Sequence, residues 1–285
     1  RDPEMSRGLG DVYKRQVVQH NLTAMNANRQ LSGVTSAQAK STEKLSSGYR
    51  INRAADDAAG LSISEKLRSQ IRGLDKAASN SQDGISLVQV AEGALNETHS
   101  ILQRMNELAT QAANDTNTST DRDSIQKEMD QLTSEIDRIR STTQFNSMNL
   151  LDGTFKNMKL QVGALSGQSI VISIDNMNAS SLKISGLKVS SFSSAGKAMA
   201  AIQKAINSVS TQRSKLGAIQ NRLEHTINNL NTTSENTSAA ESRIRDVDMA
   251  TEMVEYSKNN ILAQAGHCLL YTSPSPRDIS GSRMP

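Results

Sequence analysis

Between Gln16 and Cys268 the chain carries no proline and no cysteine; all four prolines (Pro3, Pro274, Pro276 and Pro285) and the single cysteine lie outside that stretch. Proline inside a helix removes a hydrogen bond and clashes with the preceding turn, so its absence permits helices far longer than the usual few turns. Helix-period apolar residues fill both ends of the stretch, and a strand-like pattern occupies its middle. The expected fold is mainly α: a long helical hairpin or coiled-coil rod built from both chain ends, with a small β-hairpin region in the middle. Rods pack side by side, which points to assembly rather than catalysis.

Composition agrees. Apolar residues make up 36%, aromatics 2%, and tryptophan is absent. A compact globule of this length would bury more bulky aromatic surface, whereas a thin bundle needs only a narrow stripe of Leu, Ile, Val, Met and Ala. The net charge of +3 resides largely in the ends. Residues 1–16 hold four basic and three acidic side chains, and residues 268–285 hold two and one, leaving 26 basic against 25 acidic between them. Such a balance offers no clustered basic face for a nucleic acid. Both end segments also break composition abruptly, and we expect 1–16 and 268–285 to be non-native tails, with native sequence beginning near Val17. No apolar run reaches the roughly 18 residues that cross a bilayer, and no charged-then-apolar leader is visible.

Along the chain, Leu22, Met25, Leu31, Val34 and Leu45 give residues 18–47 a helical pattern that ends at Ser46-Ser47-Gly48, where glycine suits a C-cap. An irregular stretch from Tyr49 to Ala55 follows, and Asp56 or Asp57 offers an N-cap for a helix starting near Ala58. The strongest pattern spans Ile85 to Ala113. Val88, Ala91, Leu95, Thr98, Leu102, Met105, Ala109 and Ala112 alternate spacings of three and four, and Leu87, Ala94, Ile101 and Leu108 add a second row. After a polar loop at Asn114–Thr120, Ile125, Met129, Leu132, Ile136 and Ile139 build an antiparallel partner. Then the period changes: Leu160 and Val162 alternate with polar residues, as do Ile170, Ile172 and Ile174, with Gly163 to Gly167 between, which predicts a β-hairpin. Asp152-Gly153 marks a turn. From Ala198 the helical period returns through Ile202, Val209, Leu216, Leu223 and Leu230, with Ile206 and Ile227 between rows. A last helix places Val247, Val254 and Ile261 at the same interval, and the pattern stops at Ala265-Gly266.

Two segments name a family. LSSGYRINRAADDAAGLSISEKLRSQIRGL (residues 45–74) resembles the N-terminal signature of bacterial flagellins, and NRLEHTINNLNTTSENTSAAESRIRDVDMATEMVEYSKNNILAQAG (residues 221–266) resembles their C-terminal signature. The segments at 81–114 and 143–153 fit the same family between them, and the likeness is strongest to the short flagellins of Gram-positive bacteria. The resemblance implies a filament subunit, a self-polymer for motility, exported to the flagellum outside the cell without a cleaved signal peptide. It implies inner coiled-coil helices at 17–47 and 239–267, the latter truncated. Rod-domain helices are implied at 48–143 and 197–238, with a β-hairpin and turn region at 144–196 too short for a variable outer domain. Export chaperones, filament cap and junction proteins, and the vertebrate Toll-like receptor that senses flagellin are the implied partners; nucleic acid, membrane insertion and cofactors are not.

Candidate residues follow. Asp56-Asp57 could be a paired-carboxylate site, but no His or further carboxylate converges nearby, so a helix cap and polar contact is the simpler reading. Glu224-His225 lacks the second histidine of a zinc-protease motif, since Asn229 stands there. Arg243, Arg245, Asp246 and Asp248 form a dense charge run whose spacing offers Arg243–Asp246 and Arg245–Asp248 pairs on a solvated helix face, worth about 0.2–0.5 kcal/mol each. Because the resemblance packs this region between subunits, these four together with Arg50, Asn52, Asp56 and Asp57 are the candidate polymer interface. On the helix of the strongest seam, Arg104 and Glu107 should be exposed and Leu108 should lie at the seam's margin. The resemblance makes Gln103, Arg104 and Leu108, with Glu128 on the next helix, the candidate receptor contacts. Arg104 would be a charged fork and Leu108 an apolar anchor. A cytoplasmic coiled-coil adaptor or signalling rod would explain the heptads but not the hairpin or the two signatures. An enzyme would need converging His, Asp or Glu residues, and the four histidines are scattered.

Overall fold

The computed structural model describes residues 22–272. The expected tail 1–16, the expected start at Val17 and most of the tail 268–285 lie outside these residues. Nine elements follow in order: α1 (Leu22–Ser47), α2 (Ala58–Ala112), α3 (Ser119–Thr142), β1 (Gln144–Phe145), β2 (Met148–Asn149), β3 (Met158–Gln161), β4 (Ser169–Ile172), α4 (Phe192–Arg245) and α5 (Met249–Thr272). The chain divides into two compact units, one drawn from Arg1–Glu65 and Ala240–Pro285, the other Lys66–Ala239.

In the second unit the seam residues do what their spacing predicts. Val88, Ala91, Leu95, Leu102, Met105, Ala109 and Ala112 of α2 are sealed from solvent together with Met129 and Ile136 of α3 and Ile202, Ala205, Val209 and Leu216 of α4. Thr98 sits in the same seam, its hydroxyl donating to the Ala94 carbonyl at 2.9 Å, so the buried polar atom has a partner. A capping box starts α3: the Thr118 hydroxyl accepts the Asp121 N–H, and the Asp121 carboxylate accepts the Thr118 N–H. Arg104 reaching Glu128 and Arg122 reaching the Ala112 carbonyl show α3 folding back along α2. Along α4, Leu223 and Leu230 extend the buried heptad, with Leu223 packed against Ile85 and Ile170.

The predicted hairpin is β3 and β4, antiparallel with Leu160 opposite Ile170. It lies against α2 where that helix carries glycine. A Cβ at Gly73 would sit 2.9 Å from the Ala164 methyl, a contact that only a shift of the hairpin tip could relieve. A smaller hairpin, β1 with β2, was not legible in the sequence; its turn residues Asn146 and Ser147 both have positive φ (47° and 63°), the mirror-image turn that glycine usually signals. Residues 173–191 return the chain to α4 through irregular structure that buries Ile174, Leu182, Ile184 and Val189. Here Lys183 closes a helical turn at φ 58°, with the Ile184 N–H bonded to the Ala179 carbonyl. That conformation favours glycine over any L side chain. Lys183→Gly is therefore expected to raise the unfolding free energy by about 0.5–1 kcal/mol in urea melts; a fall would mean that the lysine side chain holds the turn by its own contacts.

Three boundaries differ from expectation. α4 begins at Phe192 rather than near Ala198, because Ser191 accepts the Ser194 N–H and so caps the helix earlier. It then continues unbroken to Arg245. α5 runs past Gly266 to Thr272, since nothing breaks it before Pro274; the added Leu269 and Tyr271 stay 65% and 93% exposed.

Candidate functional site

In the first unit, the turn between α1 and α2 and the junction between α4 and α5 clasp each other. Gly48, at φ 75°, ends α1 with its N–H on the Lys44 carbonyl, and its own carbonyl accepts the Val247 N–H at 3.0 Å. The Arg50 N–H donates to the Arg245 carbonyl at 2.7 Å, making a one-residue antiparallel bridge between Tyr49 and Asp246. Side chains tighten it. The Arg50 guanidinium donates to the Ile244 carbonyl at 2.6 Å, and the Arg245 guanidinium lies 4.5 Å from the Tyr49 ring centroid and 3.1 Å from Glu65.

The remaining candidates on this unit, Arg243 apart, are also engaged within the chain. Asn52 donates to the Ser47 hydroxyl at 2.8 Å. Asp56 accepts the Asn52 and Arg53 N–H groups and pairs with Lys40 at 2.9 Å, while Asp57 is the N-cap of α2, accepting the Gly60 N–H at 2.9 Å. Asp248 caps α5 through the Ala250 and Thr251 N–H groups, and Asp246 accepts the Ser242 hydroxyl. Arg243 is exposed. The three-apart pairing expected for Arg243–Asp246 and Arg245–Asp248 is not what forms: α4 ends at Arg245, so the aspartates leave the helical register and Arg245 turns to Glu65 and Tyr49 instead. Sequence spacing gave no sign of Tyr49, Lys40 or Glu65, because these partners lie far away along the chain.

Losing the clasp should open the unit. The double variant Arg50→Ala/Arg245→Ala is expected to destabilise it by about 1–3 kcal/mol, since each arginine makes a charge-assisted bond and one is mostly buried. Hydrogen exchange at the Arg50 and Val247 amides is the direct reading; unchanged protection there would refute the clasp.

Acid acts on the same groups. The Lys40 ammonium, then the Arg53 N–H, hold Asp56 below its ordinary value of 3.8, and the Thr251 N–H and hydroxyl do the same for Asp248. A carboxylate lowered in the folded state contributes stability that is complete above its unfolded value and is lost as pH falls through the folded one. The unit's melting temperature is therefore expected to be flat above about pH 5 and to drop below about pH 4. Asp248→Asn should melt lower at pH 7 and show a shallower acid limb.

Beside the clasp, α1 and α5 pair antiparallel, with Lys44 on Glu252 at 3.2 Å and Leu31 over Gly266. The buried residues here are Leu31 and Ser41 on α1 and Asn259 and Ala263 on α5, so α5 contributes only a small and a polar side chain. Glu252 and Tyr256 continue this side of α5 at helical spacing. The predicted row of Val254 and Ile261 falls on the opposite side, 70% and 66% exposed, and Val247 lies before the helix begins. So α5 spends its polar side on α1 and leaves its apolar side uncovered.

On the second unit, Arg104 forms a two-pronged contact with Glu128 at 2.9 and 3.0 Å and a longer one with Glu107 at 3.3 Å; all three remain about half exposed or more. Those carboxylates, Glu128 first, hold the guanidinium charged. Gln103 lies one turn from His99, their side-chain nitrogens 3.1 Å apart. Leu108, expected at the seam's margin as an apolar anchor, is only 2% exposed. Because α2 packs against both α3 and α4, its buried arc is wider than one seam and takes in the second row. The surface on offer here is charged and polar. Among the described residues, no group of three or more His, Cys, Asp or Glu side chains could hold a metal ion, and no helix is long and apolar enough to cross a membrane.

The chain is similar to known proteins over most of its length. Residues 18–156 match the family model for the bacterial flagellin N-terminal helical region, and residues 199–272 match that for the C-terminal helical region. A flagellin from Halalkalibacterium halodurans is 54% identical over 256 residues, covering 89% of this chain and 94% of that protein. One from Bacillus subtilis is 51% identical over 288 residues with the same coverages. Among solved structures, a Bacillus cereus flagellin is similar at 35% identity and a TM-score of 0.49, over 57% of this chain and 94% of that one.

Proposed function

The chain belongs to the bacterial flagellin family, structural filament proteins rather than enzymes, and from that premise we propose that copies add to one another through the uncovered apolar side of α5. It is of the short type. The observation that carries the proposal is the exposure of Val254 and Ile261 opposite the face that α1 covers. A repeated contact between two different faces does not close on itself, and so builds a filament instead of a ring. In this reading residues 17–47 and 239–267 form the inner helices, residues 48–143 and 197–238 form the rod, and 144–196 its hairpin region. Arg50, Asn52, Asp56, Asp57, Arg245, Asp246 and Asp248 shape the interface from inside each copy by fixing where α5 starts, and Arg243 remains the direct contact. Electron microscopy of the chain added to filament seeds tests it. Elongation is expected; a discrete dimer that never elongates would favour an adaptor rod and sink the proposal.

The family premise also supports export to the flagellum without a cleaved leader, and passage through export chaperones and the filament cap and junction proteins. For the Toll-like receptor, Gln103, Arg104 and Glu128 are the proposed direct contacts, with Leu108 backing the helix from within. Arg104→Ala and Glu128→Ala are each expected to reduce signalling in receptor-reporter cells by roughly tenfold, as interface charge contacts do. Equal signalling by both variants would remove the receptor from the reading.

A further inference from the structure

One side of α4 is basic over much of its length, and one side of α3 is acidic. From Phe192 to Arg222, α4 holds five cations and no carboxylate. Four of them, Lys197, Lys204, Lys215 and Arg222, follow at intervals of seven, eleven and seven residues, so they share one row about 37 Å long. The row lies away from the buried Ile202, Val209 and Leu216, and all four residues are exposed. Among the described residues only Lys215 of this row has an acidic neighbour, Asp175 at a long 3.8 Å. On α3, Asp123, Asp130 and Asp137 recur every seven residues, away from the buried Ile125, Met129 and Ile136, and are exposed too. The Asp130 carboxylate accepts the Gln126 amide and the Asp137 carboxylate accepts the Ala179 N–H. Among the described residues no cation pairs with these three aspartates; Lys127 stands about 60° to one side of them.

We propose that the basic row of α4 docks the acidic row of α3 on a second copy, a side-by-side contact that rests on the assembly reading and adds to the one made by α5. Three observations carry it. The rows have opposite sign and are almost wholly unpaired within the chain, so each attracts the other and repels its like. Both helices run antiparallel to α2, as Arg104 with Glu128 and Ser234 with Asp75 show, so copies of the same polarity bring α3 and α4 together in parallel. Arg122 reaches the Ala112 carbonyl and Met199 meets the Thr110 hydroxyl, so Asp123 and Lys197 stand level on the unit. With Lys197 opposite Asp123, the common spacing of about 10.5 Å sets Lys204 opposite Asp130. Asp137 then falls opposite Thr211, where a groove of about 400 Å³ lined by Met177, Asn207, Thr211 and Lys215 leaves room for it. The contact joins two different faces and so does not close on itself.

The test measures elongation of filament seeds in low salt by the full chain, by Lys197→Glu/Lys204→Glu and by Asp123→Lys/Asp130→Lys. All four positions are exposed, so circular dichroism melting of each variant should match that of the parent. Each variant alone should elongate roughly tenfold more slowly or worse, because like charges then face each other. That deficit should shrink in about 0.5 M salt, where exposed charges are screened within a few ångströms. An equimolar mixture of the two variants should return to within about threefold of the parent rate, since the new glutamates of one meet the new lysines of the other. A role confined to the fold of each copy would give no such recovery. Parent-like elongation by either variant alone, or a mixture no faster than its components, overturns the pairing. An unaltered chain that fails to elongate overturns the assembly reading itself, and the pairing with it.

Discussion

Replacing Val254 and Ile261 together by glutamate is expected to abolish elongation of filament seeds while leaving the melting of the free subunit unchanged. Both side chains are more than half exposed, so in the isolated chain the carboxylates remain hydrated and the change lies within about 0.5 kcal/mol, as for ordinary surface substitutions. Burial against another copy is different. Each charge would lose its water without gaining a partner, a penalty of several kcal/mol apiece, and two together should slow elongation by more than about a thousandfold. Sedimentation against seeds gives the first quantity and circular dichroism melting the second. Normal elongation would move the assembly face elsewhere; a large loss of melting temperature would mean that the row supports the subunit's own fold.

Leu102→Ala should lower the stability of the second unit by about 2–5 kcal/mol, the range for emptying a fully enclosed leucine site. Leu102 is 0% exposed at the middle of the α2 seam, with Met105, Met129 and Ile136 in the same cluster. Much of that density comes from helices that cannot shift singly, so the cavity will not close. Leu165→Ala at the hairpin tip is the control: 67% exposed, it should change stability by less than about 0.5 kcal/mol. Similar losses in both variants, followed by urea melting, would show that the seam is not what holds the unit.

Local rules made most of the fold legible. Seam residues from Val88 to Ala112 and from Ile202 to Leu230 repeat at helical spacing, and the Gly48 stop and Asp57 cap are decided by their own few neighbours. The hairpin of β3 and β4 was read from alternation alone. What the sequence hid depends on distant partners. Nothing near Leu108 tells that a second helix covers it, and nothing near Arg245 names Glu65, 180 positions away. Val254 and Ile261 do share a row, from which Val247 drops out because α5 starts at Met249, but the side of α5 that meets α1 is the one carrying Glu252, Tyr256, Asn259 and Ala263, a choice made by the partner helix and not by the local period. The tight turn at Asn146-Ser147 lacks the glycine that would have announced it.

The clasp has a consequence for the order in which the chain becomes native. Lys44 and Glu252 are 208 positions apart and Arg50 and Ile244 are 194 apart, so the first unit cannot close until nearly the whole described chain exists. Bringing such distant points together in an unstructured polymer is less favourable than closing a ten-residue loop by about 2.7 kcal/mol. If α2, α3 and α4 consolidate first, most of that intervening length is already compact and the penalty shrinks. The terminal helices should thus be the last to join and the first to part. In native-state hydrogen exchange, amides of α1 and α5 are expected to exchange through a low-energy opening that leaves Leu102 and Val209 protected.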